Sequence, residues 1–239
     1  MAEMYKDLDP DTMPRSPGIT YQELLDQDTH EVPEVLRLQS PKDVGLNEFA
    51  KERYTSHDYH EKEVKNLWMK VWQFAAREEE IPEPGDHIRY DIAGVSFLIV
   101  RQENREIKAY PNACLHRGRM LKEFDGHASE IRCAFHGFAW NLDGCLKDVP
   151  ARWDFPQIKD EEFSLPEIPV STWAGFIFIN PDQNCEPFEP FIKELADQFQ
   201  RWDLGSRYIQ AHVARILPCN WKIAQEAFCE AYHVSGTHP

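Results

Sequence analysis

Cys114-Leu115-His116-Arg117-Gly118 and Cys133-Ala134-Phe135-His136-Gly137 decide the fold: each short stretch offers one thiol and one imidazole, and the second begins 17 residues after His116. Two thiolates and two neutral imidazoles are a complete ligand set for a pair of sulfide-bridged irons, with less negative charge on the cluster than four thiolates would leave, and hence a higher potential. A structural zinc ion is the alternative, although common zinc fingers place both cysteines before both histidines. Gly118 and Gly137 follow the two pairs directly. Glycine is expected there, where a loop must turn tightly and present backbone amides to cluster sulfurs.

Outward from these loops the chain alternates with the period of strands. His87–Ile92, Gly94–Arg101, Arg105–Tyr110, Glu130–Cys133 and Phe138–Asn141 read as strands, with turn signals at Asp125-Gly126 and Asp143-Gly144, so residues 85–150 form an all-β module. Before it, Val64, Leu67, Trp68 and Val71 line one face of a helix that starts near Ser56 and ends before Pro82-Glu83-Pro84-Gly85. Residues 1–46, with Pro10, Pro14, Pro17, Pro33 and Pro41, read as an extended arm with one short helix at Tyr21–Leu25. After the module, the pattern predicts a strand at Trp173–Asn180, a helix burying Phe191, Leu195, Phe199 and Trp202, a strand at Tyr208–Leu217 and a helix at Asn220–His233.

Charge and composition narrow the class. The 239 residues carry 26 Lys plus Arg against 41 Asp plus Glu, a formal charge of −15 that argues against a protein built to neutralise nucleic-acid phosphate. The apolar runs are short, Val95–Val100 and Ala174–Ile179, far below the roughly 20 residues of a membrane-spanning helix. The first ten residues, MAEMYKDLDP, lack a secretory pattern, so a cytoplasmic protein with no membrane partner is expected, its cysteines thiols or metal ligands. Cys145, Cys185, Cys219 and Cys229 have no histidine at ligand spacing and read as small buried hydrophobes, while Trp68, Trp72 and Trp173 read as core. His57, His60, His87, His127 and His212 show no ligand pattern. Between residues 112 and 152 six basic side chains face five acidic ones, a locally near-neutral surface on which an acidic electron donor could dock.

A second constellation ends the chain. In Asn220–Pro239, NWKIAQEAFCEAYHVSGTHP, Glu226, Glu230 and His233 stand at i, i+4 and i+7 of one helical face, and His238 follows five residues on. An unbroken helix would turn those two imidazoles about 140° apart, and Ser235-Gly236 supplies the break that could bring them together. Two histidines and a carboxylate on one side of an iron leave positions open for dioxygen and substrate.

The two-loop signature resembles the Rieske family, and Asn112, Arg117, Gly118, Gly137 and Trp140 also match its oxygenase branch. With Arg119 and Ala134 or Phe135 where respiratory members have a disulfide, no such bridge can form, which implies a potential near the lower end of the range, roughly −150 mV. The stretch Asn-Trp-Lys, acid, acid, Tyr-His, His is similar to the iron segment of Rieske non-haem iron oxygenase large subunits of the aromatic-ring-hydroxylating type, and the resemblance runs from Tyr54 to Pro239. It implies an α+β fold: an N-terminal arm (1–50) associated with the catalytic domain, an all-β 2Fe-2S domain (51–165), and the first part of an α/β, helix-grip-like catalytic domain (166–239). It implies that Cys114, His116, Cys133 and His136 hold the cluster, that His233 and His238 bind a mononuclear Fe(II), and that a third carboxylate ligand lies beyond Pro239, so that this stretch alone would be inactive. Glu230 then bridges the metal sites between subunits of a trimer, from His136 of one chain to His233 of its neighbour. Glu in place of the usual Asp, after a shorter gap, is the variant also seen in enzymes acting on quaternary amines. The implied activity is NAD(P)H-dependent hydroxylation of an aromatic or ring-containing substrate with dioxygen. A ferredoxin or flavin reductase would be the donor, and the assembly a homotrimer or α3β3. The alternative is a Rieske electron carrier without catalysis of its own.

Overall fold

The computed structural model describes residues 21–37, 48–230, 233 and 237. The chain divides after Phe49 into two compact units. The first holds two short helices, α1 (Tyr21–Asp26) and α2 (Glu34–Arg37), tied by an ion pair of 2.8 Å from Arg37 to Asp26.

The second unit begins with α3 (Glu52–Thr55) and α4 (His57–Glu63), the latter capped by the Ser56 hydroxyl, which accepts from the Tyr59 amide. A π turn, Val64–Trp68, ends this helical stretch well short of Pro82. The residues that follow become β1 (Gln73–Arg77), because Gln-Phe-Ala-Ala-Arg finds a partner strand in Phe176–Ile179. The three sheets among the described residues are antiparallel. The largest has the order β4-β3-β2-β5, from β2 (Asp86–Ile92), β3 (Val95–Arg101), β4 (Ile107–Pro111) and β5 (Gly126–His127). A second joins β6 (Ile131–Arg132), β7 (Ala139–Trp140) and β8 (Leu146–Asp148). The third, β1-β10-β9, takes β9 (Val170–Trp173) and β10 (Phe176–Ile179) from beyond residue 165.

Strand β3 explains the centre of the unit. Successive side chains of a strand point to opposite faces, so a strand buried on both reads as an uninterrupted apolar run. Phe97 and Ile99 enter one core with Ile88, Ile168, Ile177 and Ile179; Leu98 and Val100 enter the other with Tyr110, Phe138, Trp140, Cys114 and Cys133. The cluster loops therefore hang from the second core.

Several expectations are corrected. The single strand expected at Trp173–Asn180 is a hairpin, β9–β10, turned at Ala174-Gly175 with φ of 51° and 81°; this two-residue turn lacks the Asn or Asp that usually announces it. The helix expected around Phe191 is α5 (Phe188–Phe199), but it buries Phe188 and Ile192 against Trp72 and Phe178, leaving Phe191, Leu195, Phe199 and Trp202 exposed. Tyr208–Leu217 forms no strand: Tyr208, Val213, Ile216 and Leu217 are exposed, and no described strand lies alongside to complete its hydrogen bonds. The helix expected at Asn220–His233 is α6 (Trp221–Glu226), which stops early. Among the described residues no helix is long and apolar enough to cross a membrane.

The turn after β7 is a sensitive point. Gly144 has φ of 83°, and a Cβ there would lie 2.7 Å from the ring of the fully buried Tyr110. Gly144→Ala is expected to cost about 2 kcal/mol or more of unfolding free energy, read as a lower denaturant midpoint; an unchanged midpoint would contradict this packing.

Candidate metal centre

The two loops have the same backbone design. In the first, the Cys114 amide donates to the Arg119 carbonyl (2.7 Å) and the Gly118 amide to the Cys114 carbonyl (2.8 Å); in the second, the Cys133 amide donates to Phe138 (2.8 Å) and the Gly137 amide to Cys133 (3.0 Å). Both turns close on a glycine of positive φ, 73° at Gly118 and 79° at Gly137, a conformation that costs other residues strain. The repeat sets Cys114 against Cys133 and His116 against His136.

Both cysteines are buried, and their thiols are hydrogen-bonded to each other. Burial pushes the Cys114 thiol up, the His116 and Arg117 amides aimed at its sulfur oppose this, and Cys133 adds to the rise. The His116 and His136 rings meet edge to face at 4.8 Å, with His116 stacked on Phe138 at 4.6 Å and His136 against Phe135 at 3.9 Å. Burial, aided by His136 and Arg117, pulls the His116 pKa down.

His116 Nδ1 is buried and has no hydrogen-bond partner. A buried ring nitrogen without a partner is costly in an apolar core, and a metal ion is the partner its lone pair fits. Among the described residues, no three His, Cys, Asp or Glu side chains group as a single ion would need. A thiol pair beside an imidazole pair suits two irons, two protein ligands each, better than one tetrahedral zinc.

Around the loops lie supports that sequence reading reached only in part. Asn112 holds the chain after the first loop: its amide donates to Lys122 O (2.8 Å) and Ser96 Oγ (3.1 Å), and its oxygen accepts from the Leu121 and Lys122 amides. Arg132 holds the second loop, donating to the Gly137 carbonyl (2.6 Å), to Glu130 (2.5 Å) and to Asp148 (3.3 Å), while Lys147 pairs with the other oxygen of Glu130 at 2.9 Å. The sequence signalled these four charges only as part of a near-neutral window. Arg132 and then Lys147 hold the Glu130 carboxyl down at about 2.

The second constellation is brought together in part. Asn220 caps α6 by accepting from the Lys222 amide (3.0 Å) and donates to the Tyr54 carbonyl (3.2 Å); Trp221 donates to Glu63 (3.2 Å), and Lys222, buried, pairs with Glu63 at 2.6 Å. Tyr54 donates its hydroxyl to Glu226 (3.0 Å). Because α6 ends at Glu226, the expected common face of Glu226, Glu230 and His233 does not form. Glu230 instead accepts from the His233 backbone amide (3.1 Å) and from His233 Nδ1 (2.5 Å), a local side-chain bond of the kind that competes with helix. His238 lies outside the described residues. Of the remaining cysteines, Cys145, Cys219 and Cys229 are exposed and only Cys185 is half-buried, so the expectation of small buried hydrophobes fails.

The Rieske [2Fe-2S] domain family matches residues 71–159, and the ring hydroxylating alpha subunit (catalytic domain) family matches residues 195–239. The chain is 30% identical over 190 residues to the biphenyl 2,3-dioxygenase subunit alpha of Rhodococcus jostii, covering 77% of this chain and 41% of that one. It is 30% identical over 200 residues to the carnitine monooxygenase oxygenase subunit of Acinetobacter pittii, covering 80% and 52%. A solved quaternary ammonium Rieske monooxygenase in complex with L-carnitine superposes with a TM-score of 0.75 at 29% identity, over 80% of this chain and 55% of that one. The chain thus spans about half the length of the curated relatives it matches.

Glu130 makes the acid limb of stability testable. A carboxyl whose folded pKa lies near 2, below its ordinary value, contributes stability that is complete above the ordinary carboxylate range and is lost as pH falls through about 2. Wild type is therefore expected to be more stable than Glu130→Gln at pH 6, with the gap closing between about pH 4.5 and pH 2 in melting temperatures; a gap constant with pH would refute it.

Proposed function

From its place in the family of Rieske oxygenase large subunits, to which this chain belongs, we propose that it is the electron-accepting and oxygen-activating part of a cytoplasmic oxygenase. Cys114, Cys133, His116 and His136 would hold the 2Fe-2S cluster, and the buried, orphaned Nδ1 of the half-buried His116 is the observation that carries the reading. The cluster supplies one-electron transfer, and the mononuclear iron supplies dioxygen activation. His233 and His238 would bind that iron.

The chain's own residues contribute position and protonation state. Phe138 and Phe135 fix the planes of the two imidazoles, and the apolar core keeps water from the thiol pair. Glu230, accepting from Nδ1 of His233, holds that ring in one tautomer, as carboxylates beside metal-bound histidines do. In a homotrimer or α3β3 assembly, the same carboxylate would meet His136 of a neighbouring copy. Asn220 and Lys222, anchored to Tyr54 and Glu63, fix the start of the segment that carries Glu230.

Electrons would come from NAD(P)H through a flavin reductase, with or without a ferredoxin. The proposed substrate is a small organic molecule, ring-containing or quaternary ammonium. The first follows the biphenyl dioxygenase relative, and the second the carnitine monooxygenase relative together with Glu at position 230. An electron carrier without catalysis is disfavoured by the catalytic-domain match over residues 195–239.

Two measurements test this. Anaerobically purified protein is expected to contain iron and acid-labile sulfide, and Cys133→Ser to lose both; zinc without sulfide would end the cluster reading. In the native oligomer, Glu230→Ala is expected to keep the visible spectrum of the cluster. It should slow reoxidation of the reduced cluster by dioxygen, in the presence of L-carnitine or biphenyl, by about 10- to 100-fold or more. Unchanged reoxidation would remove Glu230 from the path.

A further inference from the structure

The two cluster loops share one backbone hydrogen-bond pattern and differ sharply in what precedes them. Ala113 stands before Cys114, whereas Arg132 stands before Cys133. In β6, Arg132 faces Ala139 of β7, at the mouth of the hairpin whose tip is the second loop, and its Nη1 reaches across to the Gly137 carbonyl at 2.6 Å. The guanidinium thus bridges the residues on either side of the ligand-bearing turn. It does not stand alone: Glu130 binds its Nε at 2.5 Å, Asp148 of β8 lies 3.3 Å from Nη1, and Lys147 closes on Glu130 at 2.9 Å. Two cations and two anions leave this network with no net charge.

We propose that Arg132 is a positioning residue for the second cluster loop and that, with Glu130, Lys147 and Asp148, it sets how readily the cluster accepts an electron. The inference rests on the reading of Cys114, His116, Cys133 and His136 as cluster ligands. Two effects act together. The fork of Arg132 fixes the Gly137 carbonyl, and with it the direction of the neighbouring His136. Its fixed positive charge stabilises the electron added on reduction, because potentials of such clusters respond to nearby charge and to hydrogen bonding around the loops. Neutralising one member unbalances the network by one unit, and the sign depends on which member is lost.

The sign separates electrostatics from mere loosening. In the full chain, purified anaerobically with its cluster, Arg132→Gln and Lys147→Met are expected to lower the reduction potential, while Glu130→Gln and Asp148→Asn raise it. All four shifts should shrink at high salt, as exposed charges are screened. Arg132→Lys, which keeps the charge but loses the fork, should recover the greater part of the Arg132→Gln shift. Potentials are read by redox titration followed in the visible or EPR spectrum. Shifts of one sign in all four variants, or none in any, overturn the proposal. Should Arg132→Gln fail to retain its cluster, Lys147→Met against the two carboxylate variants still decides the sign. A wild-type chain without acid-labile sulfide overturns the ligand reading itself, a result distinct from a loaded cluster indifferent to these charges.

Discussion

Burying a ring nitrogen beside an apolar core is unfavourable unless something binds it, and this constraint organises the molecule. Cys114 and Cys133 belong to the same core as Leu98, Val100, Tyr110, Phe138 and Trp140, and Nδ1 of His116 has no protein partner. A polar atom without a partner in such surroundings costs a few kcal/mol. The fold keeps that arrangement because both loops carry a cross-turn amide bond and a glycine of positive φ, and the second is also held between the paired strands β6 and β7.

Much of this was legible in the sequence for a definite reason. Ligands of a metal cluster must be of particular types at close spacing, so Cys-x-His and Cys-x-x-His announce themselves without reference to the rest of the chain. The doubly buried strand β3 was equally plain, since Phe97-Leu98-Ile99-Val100 has no polar alternation. What escaped depended on partners distant in sequence. Strand β1 follows a helix and reads as its continuation until β10, about a hundred residues later, is seen beside it. The apolar stripe of α5 was read correctly as helical but assigned to the wrong face, because Trp72 and Phe178 select Phe188 and Ile192. Arg132 was invisible for the opposite reason: one arginine among many charges says nothing until the carbonyl it reaches is known.

The C-terminal constellation shows where periodicity misleads. Glu226, Glu230 and His233 have helical spacing, yet the helix ends at Glu226. The Glu230 side chain takes the His233 amide for itself, satisfying locally what a further helical turn would have satisfied. The same bond brings the carboxylate onto the imidazole. Losing the helix and orienting the ring are thus one event.

The helices before the β module tie the two constellations into one unit. Tyr54 and Glu63 lie upstream of the cluster loops, yet their bonds go to Glu226, Trp221 and Lys222, more than 150 residues later. Lys222 is buried beside the rings of Tyr54, Tyr59 and Trp221, so its charge is balanced by Glu63 and the ring faces rather than by water. A buried pair of this kind is demanding: removing either partner strands the other charge. It therefore specifies one register of α4 against α6, where apolar contacts such as Trp68 on Trp221 would tolerate several. The amphipathic segment Ser56–Trp68 thus has a second role that its apolar face does not reveal, because the residues that anchor the Glu230 segment are its polar ones.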